Sequence, residues 1–247
     1  MRVTILGCGE AFDERLPNTC ALVETSRAKL LFDCGFSAPP AIWETVRDPA
    51  AIDAVYLSHG HADHYFGMPA LLGRMWEDGR TKPLTVFGQP YVLDSLRHAL
   101  ELGYRGLPAR YEFPVEYCAV APGHSIDFAG ATLSFAESTH AVPNLAARLD
   151  ADGKAFCYSG DGMFTDAGRD LFAGAHLVIH EAYTFERIPV HADIQALVEL
   201  AEAQRINHLA FVHVQRNLRR NPARIQQVVR ASNGGLSMPE PGETLVA

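Results

Sequence analysis

Four side chains that can bind metal fall within six residues in Ser58-His59-Gly60-His61-Ala62-Asp63-His64, directly after the apolar run Ala54-Val55-Tyr56-Leu57. An apolar run of that length and composition reads as a buried β-strand. Side chains two apart on extended backbone point the same way, so His59 and His61 can grip one metal ion together. Asp63 and His64 lie past that pair, where the chain turns, and can reach a second ion beside the first. Gly60 and Ala62 are small, which lets the loop close tightly. A lone histidine usually belongs to a polar surface loop. Three with an aspartate at this spacing mark a metal site, and such a site needs a fold that brings further ligands opposite the loop.

Three later segments offer them. Leu133-Ser134-Phe135-Ala136 is strand-like and runs into Glu137-Ser138-Thr139-His140. Cys157-Tyr158-Ser159-Gly160-Asp161 repeats the arrangement with an aspartate, and Leu209-Ala210-Phe211-Val212-His213 repeats it with a histidine. Each one alone reads as a polar residue at a strand end. Together with His59 they place metal-binding groups after four apolar strands, which points to one shared centre. Imidazole and carboxylate without thiolate suit zinc, manganese or iron.

The rest of the chain reads as mixed α and β. Val3–Leu6 is the first expected strand. Cys20–Glu24 and Lys29–Phe32 form a hairpin, and Ala41–Val46 a short helix. Phe66–Trp76 has helical apolar spacing, Thr85–Gly88 is a strand, and Tyr91–Leu102 is a helix ended by Gly103. Several strands are expected between Tyr111 and Tyr158. Then come a strand at Leu177–His180, a helix at Ile194–Ala203, a strand at Leu209–Val212 and a helix at Pro222–Val229. The tail after Ser232 reads as loop.

With 247 residues, 48% of them hydrophobic, the chain suffices for one large domain, so 1–247 is expected to be a single unit. A formal charge of −8 argues against wholesale coating of nucleic acid. Five cysteines without a C-x-x-C pair argue against a disulfide framework or a cysteine-rich zinc module. No apolar run approaches the ~20 residues of a membrane span, and the first residues read as a strand rather than a signal peptide. A soluble cytoplasmic protein with no membrane partner is the expectation.

The His-x-His-x-Asp-His pattern at 59–64 resembles the signature of the metallo-β-lactamase-fold hydrolases. Leu31-Phe32-Asp33-Cys34-Gly35 is similar to that family's first motif, where the aspartate braces the metal loop. The resemblance implies an α/β fold built as a four-layer αββα sandwich. It also implies two divalent metal ions, zinc first among the candidates. His59, His61 and His140 would bind one ion; Asp63, His64 and His213 the other; Asp161 would bridge both. An aspartate rather than a cysteine at the bridge points to the dinuclear phosphodiesterase-like branch that includes ribonuclease Z. His180-Glu181-Ala182-Tyr183 and Val190-His191-Ala192-Asp193 resemble that branch's paired motifs, in which a glutamate orients a histidine. Tyr183 and Ala192-Asp193 depart from its wording. His98, His124, His176, His180 and His208 have no motif behind them and read as structural or surface residues.

The implied chemistry is hydrolysis. Two ions side by side supply hydroxide near neutral pH and neutralise phosphoryl oxygens. Asp63 would act as general base, and His191, oriented by Glu181, would protonate the leaving alkoxide. A structural salt link is the alternative for the Glu181–His191 pair. Arg216, Arg219, Arg220 and Arg224 could receive a phosphate or form a solvated helix face. Ribonuclease Z carries a long tRNA-gripping arm between its third and fourth metal motifs. Here the interval from His140 to Asp161 holds only two strands and a turn. The expected substrate is therefore a small phosphodiester such as a cyclic nucleotide rather than tRNA. An aryl sulfate ester, a tRNA 3′ end, or a non-catalytic metal-binding regulatory role are the alternatives. A homodimer is one arrangement open to this branch.

Overall fold

The structure is a computed structural model and describes residues 1–48 and 50–247. Its first half forms β1 (Arg2–Gly7), β2 (Cys20–Glu24), β3 (Lys29–Phe32), β4 (Ala54–Leu57), β5 (Leu84–Gly88) and β6 (Val115–Ala119). Among them lie α1 (Pro39–Thr45), α2 (Ala62–Tyr65), α3 (Met68–Glu77) and α4 (Pro90–Gly103). The second half forms β7 (Ser125–Phe128), β8 (Ala131–Thr139), β9 (Asn144–Ala151), β10 (Lys154–Tyr158), β11 (Met163–Phe164), β12 (Leu177–Glu181), β13 (Leu209–Val212), β14 (Leu236–Ser237) and β15 (Thr244–Val246). Its helices are α5 (Asp166–Phe172), α6 (Ile194–Ala203), α7 (Arg216–Arg220) and α8 (Ala223–Ala231).

One sheet runs in the order β15-β1-β2-β3-β4-β5-β6. The other runs β8-β9-β10-β12-β13-β14, with β7 and β11 both pairing with the long β8. Strand side chains alternate between faces, and the central strands of each sheet are apolar on both faces here. Val3, Ile5, Leu30, Phe32 and Tyr56 of the first sheet meet Phe135, Leu149, Phe156 and Tyr158 of the second in a central layer. Their alternates Leu6, Leu22, Leu31, Val55 and Leu57 face outward onto α1, α3 and α4. Val178, Leu209 and Phe211 of the second sheet face α5, α6 and α8. Two inner and two outer faces give the helix–sheet–sheet–helix sandwich. Aromatic pairs lock the central layer: Phe32 packs edge-on to Phe156 at 5.1 Å, and Tyr56 stacks on Phe135 at 5.6 Å.

Helix and strand bounds follow the apolar periodicity closely, with informative exceptions. The helix expected over Phe66–Trp76 begins at Met68, with Pro69 in its first turn, and the metal loop itself coils into the short α2. α4 ends at Gly103 as expected, with Gly103 its last residue and Tyr104 at the C-cap. Apolar periodicity predicts neither of the short helices α5 and α7; α5 forms because the Thr165 hydroxyl accepts the Gly168 N–H at 3.1 Å. The tail is not simply loop. β14 pairs in parallel with β13, and β15 pairs antiparallel with β1 (Val3 opposite Leu245). Both are too short to show a period, and their partners lie far back in the chain. Between His140 and Asp161, β9 and β10 are joined by Asp152-Gly153, both at positive φ as a tight hairpin turn requires. Among the described residues no helix is long and apolar enough to cross a membrane.

Candidate metal centre

The metal loop is held from behind by Asp33. This residue follows β3 at a φ of 58° and is fully buried. Its Oδ1 accepts the Ser58 N–H at 2.8 Å, and its Oδ2 accepts the Ser58 hydroxyl and the Tyr158 hydroxyl, each at 2.7 Å. The His64 ring donates through Nδ1 to the same oxygen at 2.6 Å, which leaves Nε2 aimed away from Asp33. Tyr158 ends β10, so this one carboxylate ties both sheets together at the site.

Other contacts fix the loop's neighbours. Cys34 donates its N–H to the His64 carbonyl at 2.8 Å. The Asp63 carbonyl passes so close to Gly35 that any Cβ there would overlap it. Tyr91, on α4, accepts the Gly60 N–H at 3.1 Å and donates its hydroxyl to the Pro143 carbonyl. It thereby ties the metal loop to the loop after β8. The Val190 carbonyl holds His140 Nδ1 at 2.8 Å, turning Nε2 toward His61 Nδ1 at 3.1 Å. Asn144 accepts the Asp161 N–H at 3.1 Å. His213 stands at a φ of 52° and donates its backbone N–H to the Cys8 carbonyl at 3.0 Å.

These supports bring all seven predicted ligands together. One ligand atom from each of His59, His61, His140 and Asp161 lies within 4.8 Å of the others, and the same holds for Asp63, His64, Asp161 and His213. Asp161 sits between the sets, 3.3 Å from His64 Nε2, 3.5 Å from His213 Nε2, 3.8 Å from His140 Nε2 and 3.9 Å from His59 Nε2. Asp63 Oδ2 lies 3.2 Å from both His64 Nε2 and His213 Nε2.

The state of these groups fits divalent cations. His59 Nε2, His64 Nε2 and Asp161 Oδ1 are buried without a hydrogen-bond partner, an arrangement that leaves donor atoms bare and is costly unless something else satisfies them. Burial and the nearby His64 keep His59 well below the ordinary imidazole range, so it presents a neutral ring. Burial works against ionisation of Asp161, yet His213 and His64 hold its carboxyl well below the usual range. Burial opposes ionisation of Asp63 as well, and His64 and His213 again hold the carboxyl low. Burial alone would lower His213, but Asp161 and Asp63 push it up to about 9. The field at the centre thus favours positive charge. Hard carboxylates, imidazoles and no thiolate make a donor set for a divalent metal.

Beside the centre stands the second expected pair. Glu181 ends β12, fully buried, and its Oε2 accepts the Gly162 N–H while Oε1 meets His191 Nδ1. Burial would lower His191, but the Glu181 carboxylate raises it above the ordinary value. Holding Nδ1 leaves Nε2 as the working atom. The His191 ring lies edge-on to His140 at 5.4 Å, and Asp161, Glu181 and His191 again group within 4.8 Å.

The unsupported histidines stay outside the centre. His180 is buried between Phe164 and Phe172, donates Nδ1 to the Glu181 carbonyl, and is pushed down to about 4 by burial. His98 and His124 are exposed. His176 accepts the Ala155 N–H, and His208 bonds Gly234 and Ser237. Each arginine of the cluster is engaged within the chain, and Arg220 and Arg224 stay exposed on α7 and α8, as a solvated helix face leaves them. Arg216 pairs with Glu10 at 3.2 Å, Arg219 with Glu240 at 3.0 Å and Arg220 with Glu14, while Arg224 lies over the Phe185 ring at 3.7 Å. Tyr91, Asn144 and Tyr158 support the site through partners distant in sequence, Gly60, Asp161 and Asp33.

The family model of the anti-Pycsar protein Apyc1 matches residues 1–231. The chain belongs to this family. An anti-Pycsar protein Apyc1 from Paenibacillus xerothermodurans is 30% identical over 211 residues, covering 82% of this chain and 84% of the relative. A ribonuclease Z from Methanosarcina acetivorans is 29% identical over 150 residues, covering 60% of this chain and 48% of the relative. The chain thus spans about half the length of the ribonuclease Z relatives it matches. The solved metallo-β-lactamase fold protein YhfI of Bacillus subtilis superposes with a TM-score of 0.78 at 20% identity, covering 99% of this chain and 98% of that one. Membership in the Apyc1 family and the αββα metallo-β-lactamase fold agree with the expected resemblance.

Proposed function

We propose that this chain is a hydrolase of small phosphodiesters that works with two divalent metal ions. The observation that carries the reading is Asp161, placed between two complete ligand sets, with the Glu181–His191 pair alongside. His59, His61 and His140 would hold one ion, and Asp63, His64 and His213 the other. Zinc suits an imidazole-rich set with two carboxylates. When bound, such a pair of ions activates water and neutralises phosphoryl charge.

The chain's own residues supply the rest. Asp63 is ionised and belongs to the ligand set that shares Asp161, placed to take a proton from the attacking water. His191 is held by Glu181 at Nδ1, so Nε2 can deliver a proton to the departing oxygen. Cyclic nucleotides suit this division of labour. Their leaving group is a sugar alkoxide, which departs poorly unless protonated. The tight β9–β10 hairpin leaves no arm to grip a folded tRNA, and polyanion binding needs many phosphate contacts.

Turnover of bis-p-nitrophenyl phosphate, a cyclic nucleotide and a precursor tRNA, at equal enzyme and at two salt concentrations, tests this. Metal-dependent turnover of both small diesters, with little cleavage of tRNA, is expected. No turnover of either diester by metal-replete protein would overturn the reading. Site-specific tRNA cleavage persisting at moderate salt would overturn its substrate half.

A further inference from the structure

The Glu181–His191 contact alone does not fix the imidazole. One hydrogen bond at Nδ1 leaves the ring free to swing about that contact, and swinging would carry Nε2 off its target. Tyr183 closes this freedom. Its ring stacks on the His191 ring with centroids 4.4 Å apart and planes within 19°. A second ring near it is that of His213, at 6.4 Å and 40°, so the phenol ring adjoins both the Glu181–His191 pair and the metal centre.

The Tyr183 backbone is itself anchored. Its N–H donates to the Ala192 carbonyl at 3.1 Å, and its carbonyl accepts the Gln215 N–H at 2.9 Å. It therefore stands at the base of the loop that carries His191, anchored on both sides. The loop is pinned further by the His191 N–H, which donates to the Ile188 carbonyl at 3.2 Å. A threonine here would have no flat face to offer the imidazole.

We propose that Tyr183 is a positioning residue for His191, setting the plane of the ring whose direction Glu181 sets. This rests on the reading of His191 as proton donor. Two contacts at right angles, one in the ring plane and one on its face, hold Nε2 within the narrow range that proton transfer requires. The phenol hydroxyl has no part in this; the ring face does.

The test compares the wild type with Tyr183→Phe, Tyr183→Leu, Tyr183→Thr and His191→Ala on two substrates: a cyclic nucleotide, whose leaving group needs a proton, and bis-p-nitrophenyl phosphate, whose leaving group does not. Metal content and circular dichroism are recorded for each variant. Tyr183→Phe is expected to match the wild type. Tyr183→Leu and Tyr183→Thr should lose about 3- to 10-fold in kcat on the cyclic nucleotide, the scale of one aromatic stack. KM, metal content and turnover of bis-p-nitrophenyl phosphate should hold. Added to His191→Ala, Tyr183→Thr should cost nothing more. Leucine keeps the bulk without the flat face and guards against a packing effect. The inference fails if Leu and Thr lose equally on both substrates, if only KM moves, or if their losses add to that of His191→Ala. If His191→Ala itself shows no preference between substrates, the reading of His191 falls, and the inference with it.

Discussion

Asp161 contributes to every ligand group that the described residues form, so its loss has a predictable reach. Asp161→Ala should take metal content, read by elemental analysis on chelator-free protein, from about two equivalents to about one or fewer. Retention of both equivalents would refute the shared-ligand assignment. His191→Ala should behave differently: turnover of a cyclic nucleotide should fall roughly 10²- to 10⁴-fold, the usual span for a general acid, with metal content unchanged. The loss should shrink on p-nitrophenyl esters, and equal losses on both would assign His191 another role. Most of these residues were legible from sequence because side-chain chemistry and spacing coincide: His59 and His61 alternate along extended backbone, and His140, Asp161 and His213 each close an apolar strand. Tyr183 was visible only as a departure in wording, because its meaning lies in a ring contact that no spacing encodes.

At the scale of elements, the site depends on connections between segments distant in sequence. Tyr91 opens α4 yet ties the metal loop to the loop after β8. Tyr91→Phe removes a partner from the Gly60 N–H and a donor from the Pro143 carbonyl. It should weaken metal binding by roughly 10- to 100-fold, as losses of outer supporting bonds do, and cost about 1–2 kcal/mol of stability. Metal titration and denaturant unfolding measure both, and unchanged affinity would show the tie to be incidental. The strand-and-helix pattern was readable wherever an element was long enough to display a period, as at Ile194–Ala203 and Leu209–Val212. It failed for α5 and α7, which rest on cap hydrogen bonds, and for β14 and β15, which exist through pairing with β13 and β1.

At the scale of the molecule, metal binding and folding would be linked, because unfolded chain cannot present the seven candidate ligands together. Removing metal with a chelator should lower the midpoint of thermal unfolding, on the order of 10 °C if the ions were held well above their dissociation constants. Scanning calorimetry with and without chelator decides this, and an unmoved midpoint would mean that the ligands are not filled in the folded protein. The layered architecture itself was not readable from periodicity. The central strands of each sheet are apolar on both faces, so they read as apolar runs, and only the resemblance pointed to two stacked sheets.

The layering has a consequence for how the centre comes into being. His59, His61, Asp63 and His64 all follow β4 of the first sheet, whereas His140, Asp161, Glu181 and His213 end or follow strands of the second. Neither sheet carries all of either four-residue group, and Asp33 and Tyr158 fasten the two together beside the gap. The chemistry therefore belongs to a seam. On the proposed function, a chain opened at residues 120–124, between β6 and β7, would become a two-piece enzyme. Its rate would follow the association of the pieces and fade on dilution, although every ligand was still in solution.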